Sequence, residues 1–313
     1  MRRKTSHFLV YVLVAGIVKL AQLLPHRAAL HFGSFLGRFT FSVVRMRRRV
    51  AMENLKTAFP DKTEAELRRI GRDTYRNLGM SLVEYARLPV TTTEQMAERI
   101  TVEGSENFDA ALERSKGAVL VTGHFGSWEL MGARLRSQGY PVNFFVGEQT
   151  NTAVDNMMND LRRSKGIGII SMGASMRNVL RALKQNQFVA MLSDQDAGSR
   201  GVFVEFMGRR ASTPFGPASF AVRTGAALIC GFIVRENLSH HRVILEAPLV
   251  PVPGASDEAE SLRLTQEYTS LLEKYVRERP DHWLWLHRRW KTRPKAPAKA
   301  RRPQEGERRP AAP

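Results

Sequence analysis

The chain has 313 residues, 43% of them hydrophobic, one cysteine and a formal net charge of +18. That apolar content suffices for one sizeable core or two small domains. It excludes a fibrous or wholly disordered chain, and Cys230 alone excludes an internal disulfide. A surplus of positive charge favours a polyanionic partner, and its placement narrows the choice. The first 50 residues carry ten Lys or Arg and no acid, and residues 291–313 carry eight basic and two acidic residues. The two ends therefore hold sixteen of the eighteen net charges, and the middle is nearly balanced. No basic stripe interleaved with aromatics runs through that middle, which argues against a nucleic-acid groove.

Taken in chain order, residues 8–24 read "FLVYVLVAGIVKLAQLL" after Arg2, Arg3 and Lys4. A spanning helix wants about 20 apolar residues, and Lys19 and Gln22 interrupt this run. No small-residue cleavage site follows, so the pattern is not that of a signal peptide. It predicts an uncleaved membrane-associating helix, spanning or half-inserted, with an ordinary core helix as the alternative. Arg45, Arg47, Arg48 and Arg49 follow a second apolar-aromatic stretch, a pairing that suits an anionic lipid surface.

Residues 62–87 have leucines and aromatics at helical spacing. "GAVLVTG" at 117–123 predicts a buried strand, followed by a helix from about Ser127 to Gln138 that stops at Gly139. Strands are predicted at "YPVNFFV", "FVAMLSDQDAG", "AALICGFIVRE" and "HRVILEAPLVP". Helices are predicted at 154–164, 175–185, "ASFAVRTG" and 257–279. Alternating strands and helices predict an α/β fold with a largely parallel central sheet flanked by helices. The Pro-, Ala- and charge-rich tail cannot bury a core and is expected to be disordered. The expected organisation is a membrane-associating region at 1–50, an α/β domain at 51–293 and a basic tail at 294–313.

Chemistry concentrates at "VTGHFGSWEL", residues 121–130. His124 and Glu129 would point about 140° apart on one ideal helix. They can share a site only if His124 precedes the helix and Glu129 lies in its first turn. Gly123 and Gly126 permit unusual backbone there. The pair reads either as a base and its orienter or as polar residues at a turn. No G-x-S-x-G elbow, H-E-x-x-H or phosphate-binding glycine loop occurs. Any nucleophile would therefore come from outside, as in a transferase. His240 and His241 have no partner pattern and read as surface loop. "WLWLHRRW" reads as a packed strand or a membrane-facing rim.

H-x-x-x-x-[DE] after an apolar strand resembles the first motif of the glycerolipid acyltransferase superfamily. Its Glu form within "GHFGSWEL" resembles the lipid A late acyltransferases. The blocks "NLKTAFPD", "SDQDAG", "FMGRRASTPFGPASFAVRTGA" and "WLWLHRRWKTRP" are similar to that family's in the same order, so the resemblance spans about residues 8–294. It implies acyl transfer from a thioester, on acyl carrier protein, to a hydroxyl of a lipid A precursor at the cytoplasmic face of an inner membrane. His124 would be the general base and Glu129 its orienter. Arg163 matches a site arginine, with Arg162 adjacent, and Asp194 and Asp196 match a D-x-D segment. Arg209, Arg210 and Thr213 would meet an anionic head group. The resemblance implies no cofactor, no metal and no nucleic acid. Two other readings stand beside it: acylation of a lysophospholipid or glycolipid from acyl-CoA, and a non-catalytic protein binding anionic lipid.

Overall fold

The computed structural model describes residues 2–174, 176–252 and 254–294. The tail expected to be disordered lies, from residue 295 onward, outside the described residues. Helices α1 (Arg2–Leu23), α2 (His26–Phe39), α3 (Arg48–Ala58) and α4 (Glu64–Ala86) come first, with a π-helical turn at Thr40–Val44. Helix α4 begins where Thr63 and Glu66 form a reciprocal capping box, which satisfies two amide groups that the first turn would leave open. Helix α2 lies along α4 at very short range. A Cβ on Gly37 would stand 2.0 Å from the Tyr75 carbonyl oxygen, so only glycine permits the approach. Arg87, just past α4, donates to the Ala21 carbonyl and, at 2.6 Å, to the Leu24 carbonyl, closing the C-terminal end of α1.

No helix among the described residues is long and apolar enough to cross a membrane. The spanning form of the N-terminal helix is therefore not what α1 provides. Phe8, Leu9, Leu13 and Leu23 on α1, Phe35 on α2 and Val43 in the π turn are all exposed.

The rest is α/β. In order come α5 (Thr93–Arg99), β1 (Ile100–Glu103), α6 (Ser105–Glu113), β2 (Ala118–Thr122), α7 (Trp128–Ser137), β3 (Val142–Val146), α8 (Thr152–Arg163), β4 (Gly168–Ser171), α9 (Met176–Lys184) and β5 (Phe188–Leu192). Then follow β6 (Val202–Phe206), β7 (Arg209–Thr213), α10 (Gly216–Thr224), β8 (Ala227–Arg235), β9 (His241–Leu245) and α11 (Asp257–Glu278). Among the described residues the main sheet runs β1-β9-β8-β2-β5-β3-β4. Its pairings are parallel except that of β8 with β9. Strands β6 and β7 form a separate antiparallel hairpin.

Every residue of β2 and of β8 is buried, as expected for strands covered on both faces. Alternate residues serve two cores. Val119, Val121, Leu228 and Cys230 pack with α10 and α11, while Ala118, Leu120, Ala227 and Ile229 pack with α6 and α7. Cys230 is one of these small apolar fillers. The strand expected over 241–251 ends at Leu245. The "WLWLHRRW" segment is a series of turns rather than a strand, joined through an isolated bridge from Trp283 to Phe125 in the turn after β2.

Candidate active site

Strand register builds the site. Thr122 of β2 pairs with Leu192 of β5, so His124 and Asp194, each two residues further on, emerge side by side at the C-terminal ends of adjacent parallel strands. This is where α/β sheets place ligands. The chain between β2 and α7 is compact. Gly126 has φ +60°, and a Cβ on it would come 2.0 Å from the Ile233 carbonyl oxygen. Glycine meets both demands at once.

The Asp194 carboxylate is 2% exposed and takes three donors. Oδ1 accepts from His124 Nδ1 at 2.7 Å. Oδ2 accepts from the His124 backbone N–H at 2.8 Å and from Trp283 Nε1–H at 2.8 Å. Burial pushes the Asp194 carboxyl up, but the charge of His124 and these hydrogen bonds outweigh it and lower it to about 2. Burial in turn lowers the His124 imidazole, and the opposing pull of Asp194, with a smaller contribution from Glu129, leaves it raised above the ordinary value. With Nδ1 committed to Asp194, the imidazole presents Nε2. Its side chain keeps 19% exposure and meets the Trp128 ring edge-on with centroids 5.1 Å apart.

Glu129 does lie in the first turn of α7, yet its carboxylate does not reach the imidazole. It takes a bidentate fork from Arg162, with Nη2 at 2.6 Å from Oε1 and Nε at 3.0 Å from Oε2. Arg162 also donates to Asn159 Oδ1 at 2.8 Å and lies over the rings of Tyr85 and Phe144. The residue expected to orient His124 is thus paired elsewhere, and Asp194 holds the position expected of it. The arginine shifts by one as well. Arg163 is exposed and bridges to Asp160 at 2.9 Å, while Arg162 faces inward from α8.

Asp196 makes no salt bridge to Arg200 or Arg209. Its backbone N–H donates to His287 Nε2 at 3.1 Å, and its carboxylate accepts from Thr292 N and Oγ1. It therefore ties the C-terminal segment to the end of β5. Thr213 is 1% exposed and accepts from the buried Arg289, which also donates to the Ser212 carbonyl at 2.6 Å. A hydroxyl so enclosed is not a head-group contact. Arg209 and Arg210 are exposed on β7, and Arg210 lies over the Phe203 ring. His241, expected on a surface loop, is 2% exposed on β9 and stands 3.3 Å from Glu84. Among the described residues no cluster of ligand side chains could hold a metal.

An apolar cavity of about 370 Å³ lies between α1, α2, α4 and α8, lined by Val14, Leu36, Leu78, Leu82 and Met158 among others. A smaller hollow shares Leu82, Tyr85 and Met158 with it and extends to Ser127, Trp128 and Glu129. The apolar space therefore leads toward the ring that touches His124. Its size is that of a small-molecule site. The arrangement offers an oriented, partly exposed imidazole against Trp128, which borders a small apolar hollow. The sequence places Trp283 in the "WLWLHRRW" block without pointing to its bond with Asp194, and the helix-bundle cavity is assembled from four separated helices.

A family model described as "Bacterial lipid A biosynthesis acyltransferase" matches residues 1–292. The chain is 26% identical over 282 residues to the lipid A biosynthesis palmitoleoyltransferase of Escherichia coli (strain K12), covering 89% of this chain and 90% of that one. It is 27% identical over 283 residues to the lipid A biosynthesis lauroyltransferase of the same organism, again covering 89% and 90%. It is also 29% identical over 152 residues to a phosphatidylinositol mannoside acyltransferase of Mycobacterium tuberculosis, covering 47% of this chain and 48% of that one.

Proposed function

The chain belongs to the bacterial lipid A biosynthesis acyltransferase family, and from that premise we propose that it moves a fatty acyl chain from a thioester to a hydroxyl of a lipid A precursor, with His124 as general base and Asp194 as its orienter. The observation that carries this reading is the 2.7 Å contact between His124 Nδ1 and Asp194, which leaves Nε2 as the ring nitrogen for the acceptor. In the mechanism, Nε2 takes the proton of the acceptor hydroxyl as its oxygen attacks the thioester carbonyl. A carbon–oxygen bond forms and a tetrahedral oxyanion results. Its collapse breaks the carbon–sulfur bond, and the imidazolium returns its proton to the departing thiolate. Asp194 holds the imidazole in one tautomer and stabilises the imidazolium. Glu129 acts from further away. It fixes the Arg162 guanidinium, and its negative field also favours the protonated imidazole.

The cavity between α1, α2, α4 and α8 is assigned to the acyl chain. Its lining is almost wholly hydrocarbon, and burying each methylene is worth about 0.8 kcal/mol. The exposed side chains Phe8, Leu13 and Phe35, and the arginines at 45 and 47–49 that follow them in the chain, support attachment to an anionic membrane surface, with α1 lying in the interface. The inner-membrane cytoplasmic face is the location this assignment implies. An acidic carrier protein is the proposed donor, because surplus positive charge steers such a partner.

The half-length match to a mannoside acyltransferase supports a second acceptor class, a glycolipid other than lipid A. Mass spectrometry of lipid A from a strain lacking this gene, beside the complemented strain, decides between them. A secondary acyl chain missing from the first and restored in the second is expected. Unchanged lipid A with an altered glycolipid pool would move the assignment to the second class.

A further inference from the structure

Residues 280–292 cross the catalytic turn and are bonded to it repeatedly. The Gly126 N–H donates to the His282 carbonyl at 2.9 Å, and the Leu284 N–H donates to the His124 carbonyl at 3.0 Å. Asn54 of α3 holds the other side of this strap, donating to the carbonyls of Trp285 and His287. Within the strap, Trp283 is 1% exposed and sits against Phe206 and Trp285, with centroids 5.3 and 4.6 Å away. Its indole has one polar atom, and that atom is aimed at Asp194 Oδ2.

We infer that Trp283 is a positioning residue for the acyl-transfer site: its indole N–H fixes the rotation of the Asp194 carboxylate, so that Oδ1 faces His124 Nδ1 and Nε2 faces the acceptor. The inference rests on the assignment of His124 and Asp194 proposed above, and the geometry supplies its logic. A carboxylate can turn about its Cβ–Cγ bond. The His124 backbone N–H and the Trp283 N–H converge on one oxygen and fix that turn, leaving the other oxygen for the ring. Hydrogen bonds that involve a charged group are stronger than neutral ones, and a buried carboxylate that loses one has no water to replace it. The other ionisable groups around this pair are Glu129 from α7, Tyr268 from α11, and His287 and Arg289 from the strap. None of them donates to Asp194 in place of the indole.

The test compares Trp283→Phe with Trp285→Phe in the full-length protein in detergent. Both variants remove an indole from the same aromatic cluster, but Trp285 Nε1 donates to the Pro280 carbonyl at 2.7 Å and not to the site. Two quantities are read: single-turnover acyl transfer normalised to folded protein, and the titration of His124 followed by NMR in histidine-labelled protein. Trp283→Phe should slow transfer about tenfold to a hundredfold, the range of one hydrogen bond to a charged group. It should also move the His124 titration to lower pH, because a carboxylate free to turn no longer keeps Oδ1 on Nδ1 and supports the imidazolium less. Trp285→Phe should leave the titration in place. The titration does not depend on turnover, so it decides the inference even if His124→Ala proves active and the catalytic assignment falls. A Trp283→Phe titration coincident with wild type, or shifted no more than in Trp285→Phe, overturns it.

Discussion

The contacts of His124 with Asp194 and of His241 with Glu84 both pair a histidine with an enclosed carboxylate, and they have opposite characters. His124 meets Asp194 at 2.7 Å and keeps part of its ring open. His241 meets Glu84 at 3.3 Å, and its side chain is almost wholly enclosed. The difference is the third member. Asp194 is completed by neutral N–H groups from Trp283 and the His124 backbone, so its charge remains directed at the imidazole. Glu84 is claimed bidentately by Arg235, at 2.8 and 2.6 Å. Burial lowers the His241 pKa, and although Glu84 opposes this, Arg235 sides with burial, so it ends below the ordinary value. Burial lowers His124 too, and there Asp194 prevails. A carboxylate met otherwise by neutral donors keeps its charge for the histidine, whereas one held by an arginine does not.

The comparison can be broken most forcefully at the carboxylates. Asp194→Asn should lower acyl transfer per folded molecule by about 10²–10⁴, the range for lost general-base function, whatever it costs in stability. Glu84→Gln should act on stability instead. Removing one partner of a buried pair leaves Arg235 uncompensated, at a cost of about 3–5 kcal/mol, while transfer per folded molecule stays near wild type. Denaturant titration beside single-turnover kinetics reads both. Equal activity losses for the two variants would erase the distinction.

Glu129 and Arg162 give a smaller, sharper case. Their contact predicts a coupling energy of about 0.5–3 kcal/mol in a stability double-mutant cycle of Glu129→Gln and Arg162→Gln. A cycle of Glu129→Gln with His124→Ala should show much less, since no hydrogen bond joins that pair. A larger coupling to His124 would restore Glu129 as the direct orienter.

The smallest effect is in pH dependence. As the proposed base, His124 must be neutral to accept a proton, and its pKa is raised. Activity should therefore fall as pH drops through a value above that of a free imidazole. In Asp194→Asn the stabilising charge is gone, so the residual activity should persist to lower pH than in wild type. A limb that does not move, or moves upward, contradicts the sign of the Asp194 interaction.

His124 was legible because an apolar run, two glycines and a helical pattern place it at a strand-to-helix turn. The partner was harder. Asp194 lies 70 residues away, and only the register of β2 against β5 brings it alongside. Glu129 drew attention by closeness in sequence, but its position on α7 directs it to α8. The arginine one place along from the expected one faces inward because helical periodicity separates neighbours by about 100°. His241 looked like loop because the burial that defines it comes from strand pairing and from α4. The α/β alternation was readable at β2, β3, β5, β8 and β9 and at the helices α7 to α10. The short strands at 100–103 and 168–171 and the 202–213 hairpin were not, since their residues lack a sustained apolar run.

Whether His124 is the base is decided by single-turnover acyl transfer in folded His124→Ala, read beside Asp194→Asn and the double variant. Loss of about 10²–10⁴ in each single variant, with the double little worse because the two act as one unit, is the predicted result. A folded His124→Ala enzyme that keeps a tenth or more of the wild-type rate would contradict it.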